Sequence, residues 1–481
     1  MCYECITKRG IGLKPIIICV ALFIAGYALA QDQKPDDQKT KDQKALDQKT
    51  PQQKQAEEDA NQTYEGPSIL SRDKSLIGER GGKLIDFRFY GDVTGIYDSG
   101  LTPVATDTQG NLIHVGGSEG IEAGFGVIGS RKWRRDKLSV DYKGSYRHYF
   151  GQSLLNGTDQ FLNLAYAHAL KRRLTLDLKE TVGTSTLSNG GFAYLPLTNT
   201  DLFAVPANEL FDSRTNFLQS RVDLTWQKSA RLSISLGGEG FVVRRASLAL
   251  AGLNGYSARA NAAYRLTRRQ TVSASYNYSY FDFQREFGNA KLQTATLGYS
   301  IGLSRKWDFG LDAGGIRIEA LGLTQVSLDP AIAAIVGRNN AVVTFFRIVY
   351  APTMAARLIR RFDRSAFNLG YSIAATPGNG VYLTSRQNTG SLGYSYAGFR
   401  KLTAAANASY NELSAVGQTL GKYTNTQGGV AFTYKLVHGA HVEMRYDYRH
   451  YTTQNTLYQK DSQRLSLGLA FSPGETPLAI W

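Results

Sequence analysis

The sequence predicts an all-β chain: a transmembrane antiparallel up-and-down β-barrel of about 18 strands, with short periplasmic turns and long extracellular loops. Three observations predict it. Apolar and polar residues alternate strictly over many segments, a short basic turn recurs along most of the chain, and no apolar run approaches the roughly 20 residues of a membrane helix. A chain that enters lipid without such helices must satisfy its backbone in a closed sheet.

The first 30 residues read as a secretory signal peptide. Lys8, Arg9 and Lys14 give a charged start, 16–25 an apolar core, and Ala28-Leu29-Ala30 a small-x-small cleavage site. All three cysteines, Cys2, Cys5 and Cys19, lie inside this segment. The mature chain is therefore expected to hold no disulfide, thiolate nucleophile or Cys-based zinc site. Residues 31–83 read as a disordered periplasmic linker, with Asp-Gln-Lys recurring at 32–34, 37–39, 42–44 and 47–49. So polar a tract cannot offset its ordering entropy by burial. It suits a tether, or an arm for a periplasmic or cell-wall partner.

From 84 to 472 the alternation takes over. In the hairpin 162–183, Leu162, Leu164, Tyr166 and His168 alternate with Asn163, Ala165 and Ala167. After Lys171–Arg173, Leu174, Leu176 and Leu178 alternate with Thr175, Asp177 and Lys179. Similar turns fall near Trp133, Lys171, Ser229, Arg268, Lys306, Arg361, Arg400 and His438. They are separated by about 38 residues, with two intervals lengthened by about 20, so one repeat is two strands, a short turn and a longer loop. Two further strands, 84–97 and 464–471, make the count even and place both ends on the short-turn side.

The face opposite the apolar one carries Asp86, Arg88, Asp92, Asp141, Lys143, Arg147, Asp177, Lys179, Arg221, Asp223, Arg317, Glu319, Arg347, Glu443, Arg445, Asp447 and Arg449. Such charges are ruinous in a dry sandwich and natural in a wet lumen. Rings of charge set pore selectivity, and opposite signs on neighbouring strands equally brace a wall. The net charge of +15 does not decide the sign of the pore, because many Lys and Arg sit in the short turns. Tyrosine, with 28 residues, clusters near strand ends as an interfacial girdle requires.

Two loops are candidates for narrowing the lumen. Loop 184–213 carries Phe192, Tyr194, Phe203, Glu209 and Phe211, too much apolar surface for water alone. Loop 323–341 holds an expected short helix, with Asp329 as N-cap and Pro330 at its first position. The tail 473–481 follows Phe471, leaving either Phe471 or Trp481 as the terminal aromatic for the barrel-assembly machinery.

In this pattern, over about 84–472, the chain resembles the Gram-negative outer-membrane β-barrels, and more loosely the porin-like ones. The resemblance rests on no local motif and brings no functional residue with it. It implies outer-membrane lipid as the surrounding, and a channel for passive diffusion of small hydrophilic solutes or ions. Export of an acidic polysaccharide and a structural or adhesive barrel tethered by its linker stay open beside it, and so does a homotrimer. No catalytic, cofactor, metal or nucleic-acid motif is present. His438 and His441 flank a turn without a third ligand, and a Ser–His–carboxylate site would have to be built from rim histidines such as His114, His148 and His450.

Overall fold

The computed structural model describes residues 85–472 apart from 100–104, 107–111, 114–116, 151–155, 186–213, 247–249, 305, 328, 330–336, 363, 379, 418–420, 438 and 454–457. The expected signal peptide, linker and tail lie outside the described residues, as do nearly all of loop 184–213 and the expected helix after Asp329.

The chain opens with β1 (Ile85–Asp98), a small ribbon of β2 (Ala105–Thr106) and β3 (Leu112–Ile113), then β4 (Ser118–Lys132), β5 (Asp136–Tyr149), β6 (Gly157–Lys171) and β7 (Leu174–Ser185). Next come β8 (Thr215–Gln227), β9 (Leu232–Arg245), β10 (Gly252–Arg265), β11 (Gln270–Gln284) and β12 (Gly288–Gly302). The long hairpin of β13 (Trp307–Ser327) and β14 (Asn340–Arg361) follows, then β15 (Ser365–Thr376), β16 (Ser385–Tyr396), β17 (Leu402–Ala415), β18 (Tyr423–Val437), β19 (Ala440–Thr453) and β20 (Tyr458–Phe471). All strands except β2 and β3 form one 18-stranded sheet in which each pairs with its chain neighbours.

The sheet closes on itself. β1 pairs antiparallel with both β4 and β20. At the seam Ser99 N–H donates to Gln463 O at 2.8 Å, and the Ser99 hydroxyl accepts from Gln463 N–H at 2.9 Å. Closure leaves only short one-sided stretches among the described strands, such as 85–90 of β1 and 323–327 of β13, and one longer one. Pairing of β14 with β15 stops at Met354, so the upper part of β14 is bonded to β13 alone among the described residues.

All eight expected basic turns join strands where the sequence put them. Their rim is marked by aromatic rings under cations. Arg131 lies 4.8 Å over Trp133, and Arg360 lies 4.6 Å over Trp307 and 3.9 Å over Phe362. Amphipathic rings and cations of this kind seat a barrel at the headgroup level.

Register then sorts the two faces. Val93 sits beside Leu469 and Ala123, and Leu297 beside Ala313, all exposed on the outer wall. On strict alternation the neighbouring positions, such as Asp92, Glu122, Asp141 and Arg147, face the lumen. The outside is greasy and these inner positions are ionic, which is the reverse of a soluble β-protein and fits lipid around water.

Candidate functional site: the lumen and its strap

One half of the inner wall is ionic. Over β20, β1, β4, β5 and β6 run Arg464, Asp98, Glu122, Arg147 and Asp159. Arg147, only 2% exposed, holds Asp159 at 2.7 Å and Glu122 at 3.2 Å. Arg464 reaches the same Glu122 carboxylate from the other side, and the Tyr149 hydroxyl donates to Asp98 at 3.3 Å. Each strand supplies one member because successive inward positions at one height lie one per strand. On β19 the Arg445 guanidinium donates to Asp447 at 2.9 Å. From β8 and β10, Arg221 and Arg259 converge on Asp223 of β8, with Arg221 Nε at 2.7 Å and Arg259 Nε at 2.9 Å.

The other half is apolar where it was expected to be polar. Phe161, Phe217, Phe241, Phe281, Leu292, Ile316 and Ile318 all point inward and are buried together. Their strands keep the same period, so the pattern changed in chemistry without changing in register.

A strap bridges these halves. Residues 377, 378 and 380–384, between β15 and β16, leave the wall and reach from the start of β10 to the start of β18 at the long-loop end of the barrel. Gly380 O accepts from Ala251 N–H at 3.1 Å at the foot of β10. On the far side Tyr382 packs 6.0 Å from Tyr423 of β18, which stacks 6.3 Å from Tyr451 of β19. Leu383 and Val416 of the β17–β18 connection rest on the apolar half.

The strap's glycines are demanded by its path. Gly378 has φ of 72°, and a Cβ there would lie 1.6 Å from the Tyr382 carbonyl oxygen. Gly380, with φ of 92°, passes close to the buried Arg245 side chain, which would be 3.1 Å from an added Cβ. Glycine alone tolerates both conditions at low cost.

Of the expected lumen residues, Arg88, Asp141, Arg147, Asp177, Lys179, Arg221, Asp223, Arg347, Glu443, Arg445, Asp447 and Arg449 take the inward register, and Arg347 is exposed there. The side chain of Asp86 lies outside those described. Arg317 and Glu319 are a correction. They sit opposite Gln293 and Lys291 on the outer face, and ion-pair there with each other at 2.6 Å. Ile316 and Ile318 take the lumen side, so on β13 the apolar row was the inner one.

The expected constriction residues Phe192, Tyr194, Phe203, Glu209 and Phe211 lie outside the described residues. The sequence reading missed Glu122, Asp159, Arg259, Arg464 and the whole strap. The signal for the strap was Pro377-Gly378-Asn379-Gly380 followed by Val381, Tyr382 and Leu383, a turn cluster carrying apolar cargo.

No protein-family model matches the chain, and no curated protein matches it. Among solved structures it is similar to Pseudomonas aeruginosa OccK5 (OpdH), with 14% identity and a TM-score of 0.40 over 82% of this chain and 99% of that one. It is also similar to a BenF-like porin from Pseudomonas fluorescens Pf-5, with 11% identity and a TM-score of 0.43 over 81% and 98%. A third is Pseudomonas aeruginosa OccK2 (OpdF) in complex with glucuronate, with 12% identity and a TM-score of 0.41 over 81% and 98%. By its own strand order, closure and two-faced wall, this chain is an 18-stranded antiparallel barrel of outer-membrane type.

Proposed function

We propose that the barrel is a passive channel for small hydrophilic solutes across the outer membrane. The observation that carries this is the division of the lumen: a strap seated on an apolar half-wall, facing an ionic half-wall. A barrel of this strand number leaves an aqueous interior unless something fills it. Here the strap covers one side, the buried Arg147 network stiffens the wall, and the passage that remains is taken to run past lumen-side groups that water reaches, such as Arg347 and Arg357.

Transport in this reading is diffusion, filtered by size at the strap and by charge along the wall. Paired groups such as Arg147 with Asp159 and Glu122 brace the wall. Solvent-exposed cations on the lumen side of β14, Arg347 and Arg357, act on the passing solute through their field. The 31–83 segment serves as a periplasmic tether, separate from conduction.

Single-channel recording in planar bilayers tests the proposal. The full chain should show a steady open level, and a chain lacking 378–383 should show a larger one. A barrel closed under every voltage and salt, or one whose conductance ignores the strap, would overturn it. Deleting 31–63 should leave conductance unchanged while abolishing co-purification with a periplasmic partner.

A further inference from the structure

The eight short turns share a position whose chemistry the fold does not require. Arg135, Arg173, Arg231 and Arg269 stand immediately before β5, β7, β9 and β11, and Lys306, Arg364 and Lys401 before β13, β15 and β17. At each of these turns the residue's carbonyl oxygen accepts a bond from the next hairpin. Arg135 O accepts from Ala169 N–H and Lys401 O from Lys435 N–H, both at 2.8 Å. In the eighth turn Gly439 O accepts from Ser472 N–H at 2.6 Å in the same way. The backbone bond therefore needs no cation, and a Lys or Arg at the seven other equivalent positions has another cause.

Register gives the direction they face. Leu174, Leu232, Trp307 and Leu402, each the next residue in the chain, belong to the outer rows of their strands, so the cations before them take the lumen row. All seven are exposed. They form a ring at the short-turn mouth, one member per hairpin. Lys132, Lys137, Arg265 and Arg361 share the lumen row at the same end.

Carboxylates do little to offset this charge. Of those described beside the turns, Asp136 lies in the outer row, where it accepts from the Tyr166 hydroxyl at 2.6 Å. Asp308 lies in the lumen row and is held by Arg361 at 3.0 Å. An opening lined by one sign of charge focuses its field on the ions that approach it. Neighbouring strands are about 4.8 Å apart, so ring members two strands apart stand about 10 Å apart. Long, flexible side chains converge across that gap on a ligand carrying several anionic groups, whereas a single carboxylate engages one of them.

We infer that the short-turn mouth is a periplasmic binding site for multivalent oxyanions, molecules with several phosphate or carboxylate groups. It is separate from the paired charges deeper in the lumen. Arg131 and Arg360, stacked over rings in the outer row, are the cations placed for lipid headgroups. The site rests on the register of the turns and not on the channel reading, so binding and conductance are measured separately.

Isothermal titration of the full chain with tripolyphosphate, in neutral detergent, tests it. The parent should bind, and its affinity should fall at least about tenfold between 0.1 M and 1 M salt, as the screening length shrinks from about 10 Å to about 3 Å. Arg231→Ser with Arg269→Ser, neighbours in the ring, should weaken binding about tenfold. Arg231→Lys with Arg269→Lys keeps the charge and should bind as the parent does. Arg131→Ser with Arg360→Ser removes equal charge from the outer row and should change affinity less than about twofold. Should the first serine pair fail to fold, judged by heat-modifiable migration, Arg364→Ser with Lys401→Ser takes its place.

In planar bilayers, tripolyphosphate should lower the open level from the short-turn side and not, at equal concentration, from the other. A barrel that never opens yet binds would uphold the site and sink the channel reading. Binding indifferent to salt, no loss in the ring serine pair, or equal loss in the outer-row pair would each overturn the proposal. So would loss of co-purified phosphatidylglycerol in the ring serine pair with tripolyphosphate affinity unchanged, since that outcome assigns the ring to lipid.

Discussion

The two parts of the lumen wall lie largely on different strands and solve opposite problems. Around Arg147, inward charges are buried and must be partnered. Around Phe281, which is fully buried, inward rings need only be covered. The ionic half is specified by geometry, because a carboxylate without its guanidinium is costly. The apolar half is specified by volume, because any cover of the right shape will do. In the proposed channel the first wall supplies rigidity and the second is the seat of the strap.

The comparison can be broken most sharply at Arg147. Arg147→Ala leaves Glu122 and Asp159 without the cation between them, and should cost about 3–5 kcal/mol in urea unfolding from lipid vesicles. A loss comparable to a surface substitution would mean that the network is not what holds this half. Phe281→Ala should cost about 3 kcal/mol by opening a cavity, while leaving ion selectivity at the parent value. A selectivity change there would show that the apolar half touches the conducting path.

Gly378→Ala probes the junction of the halves. With a left-handed backbone and a carbonyl in the way, it should cost on the order of 1–3 kcal/mol, taken as displacement of the strap and read as a larger single-channel level. The smallest effect is expected from Arg445→Ser combined with Arg449→Ser, a shift of reversal potential toward cations. That shift should be clearest at 0.1 M salt, where screening acts over about 10 Å, and fade at 1 M, where it acts over about 3 Å. Equal shifts at both salts would point to altered pore shape instead of field.

These contrasts also explain what the sequence made legible. Turn positions and strand period were readable because basic turns and alternation are local, and all eight turns fall where they were expected. Alternation divides a strand into two faces without saying which one meets water. On β19 the charged row, Glu443 to Arg449, is inner, and the usual rule holds. On β13 the charged row, Arg317 and Glu319, is outer, because Ile316 and Ile318 join a cluster assembled from strands far away in sequence. No local pattern carries that information.

The strap was hidden for a different reason. Length was the criterion for a filling loop, and 377–384 is as short as an ordinary connection. Its path is fixed by contacts with Ala251 and Tyr423, neither of which is near it in the chain.

The clasp at the seam has a consequence in time. Ser99 and Gln463 are 364 residues apart, and every other barrel ladder joins strands adjacent in the chain. Contacts between distant segments form slowly, so the hairpins have formed well before β20 meets β1. Until that last encounter the growing sheet has two open edges, one at each end of the chain. The interval between synthesis of β1 and arrival of β20 is therefore when this barrel most needs a chaperone or a membrane to shield it.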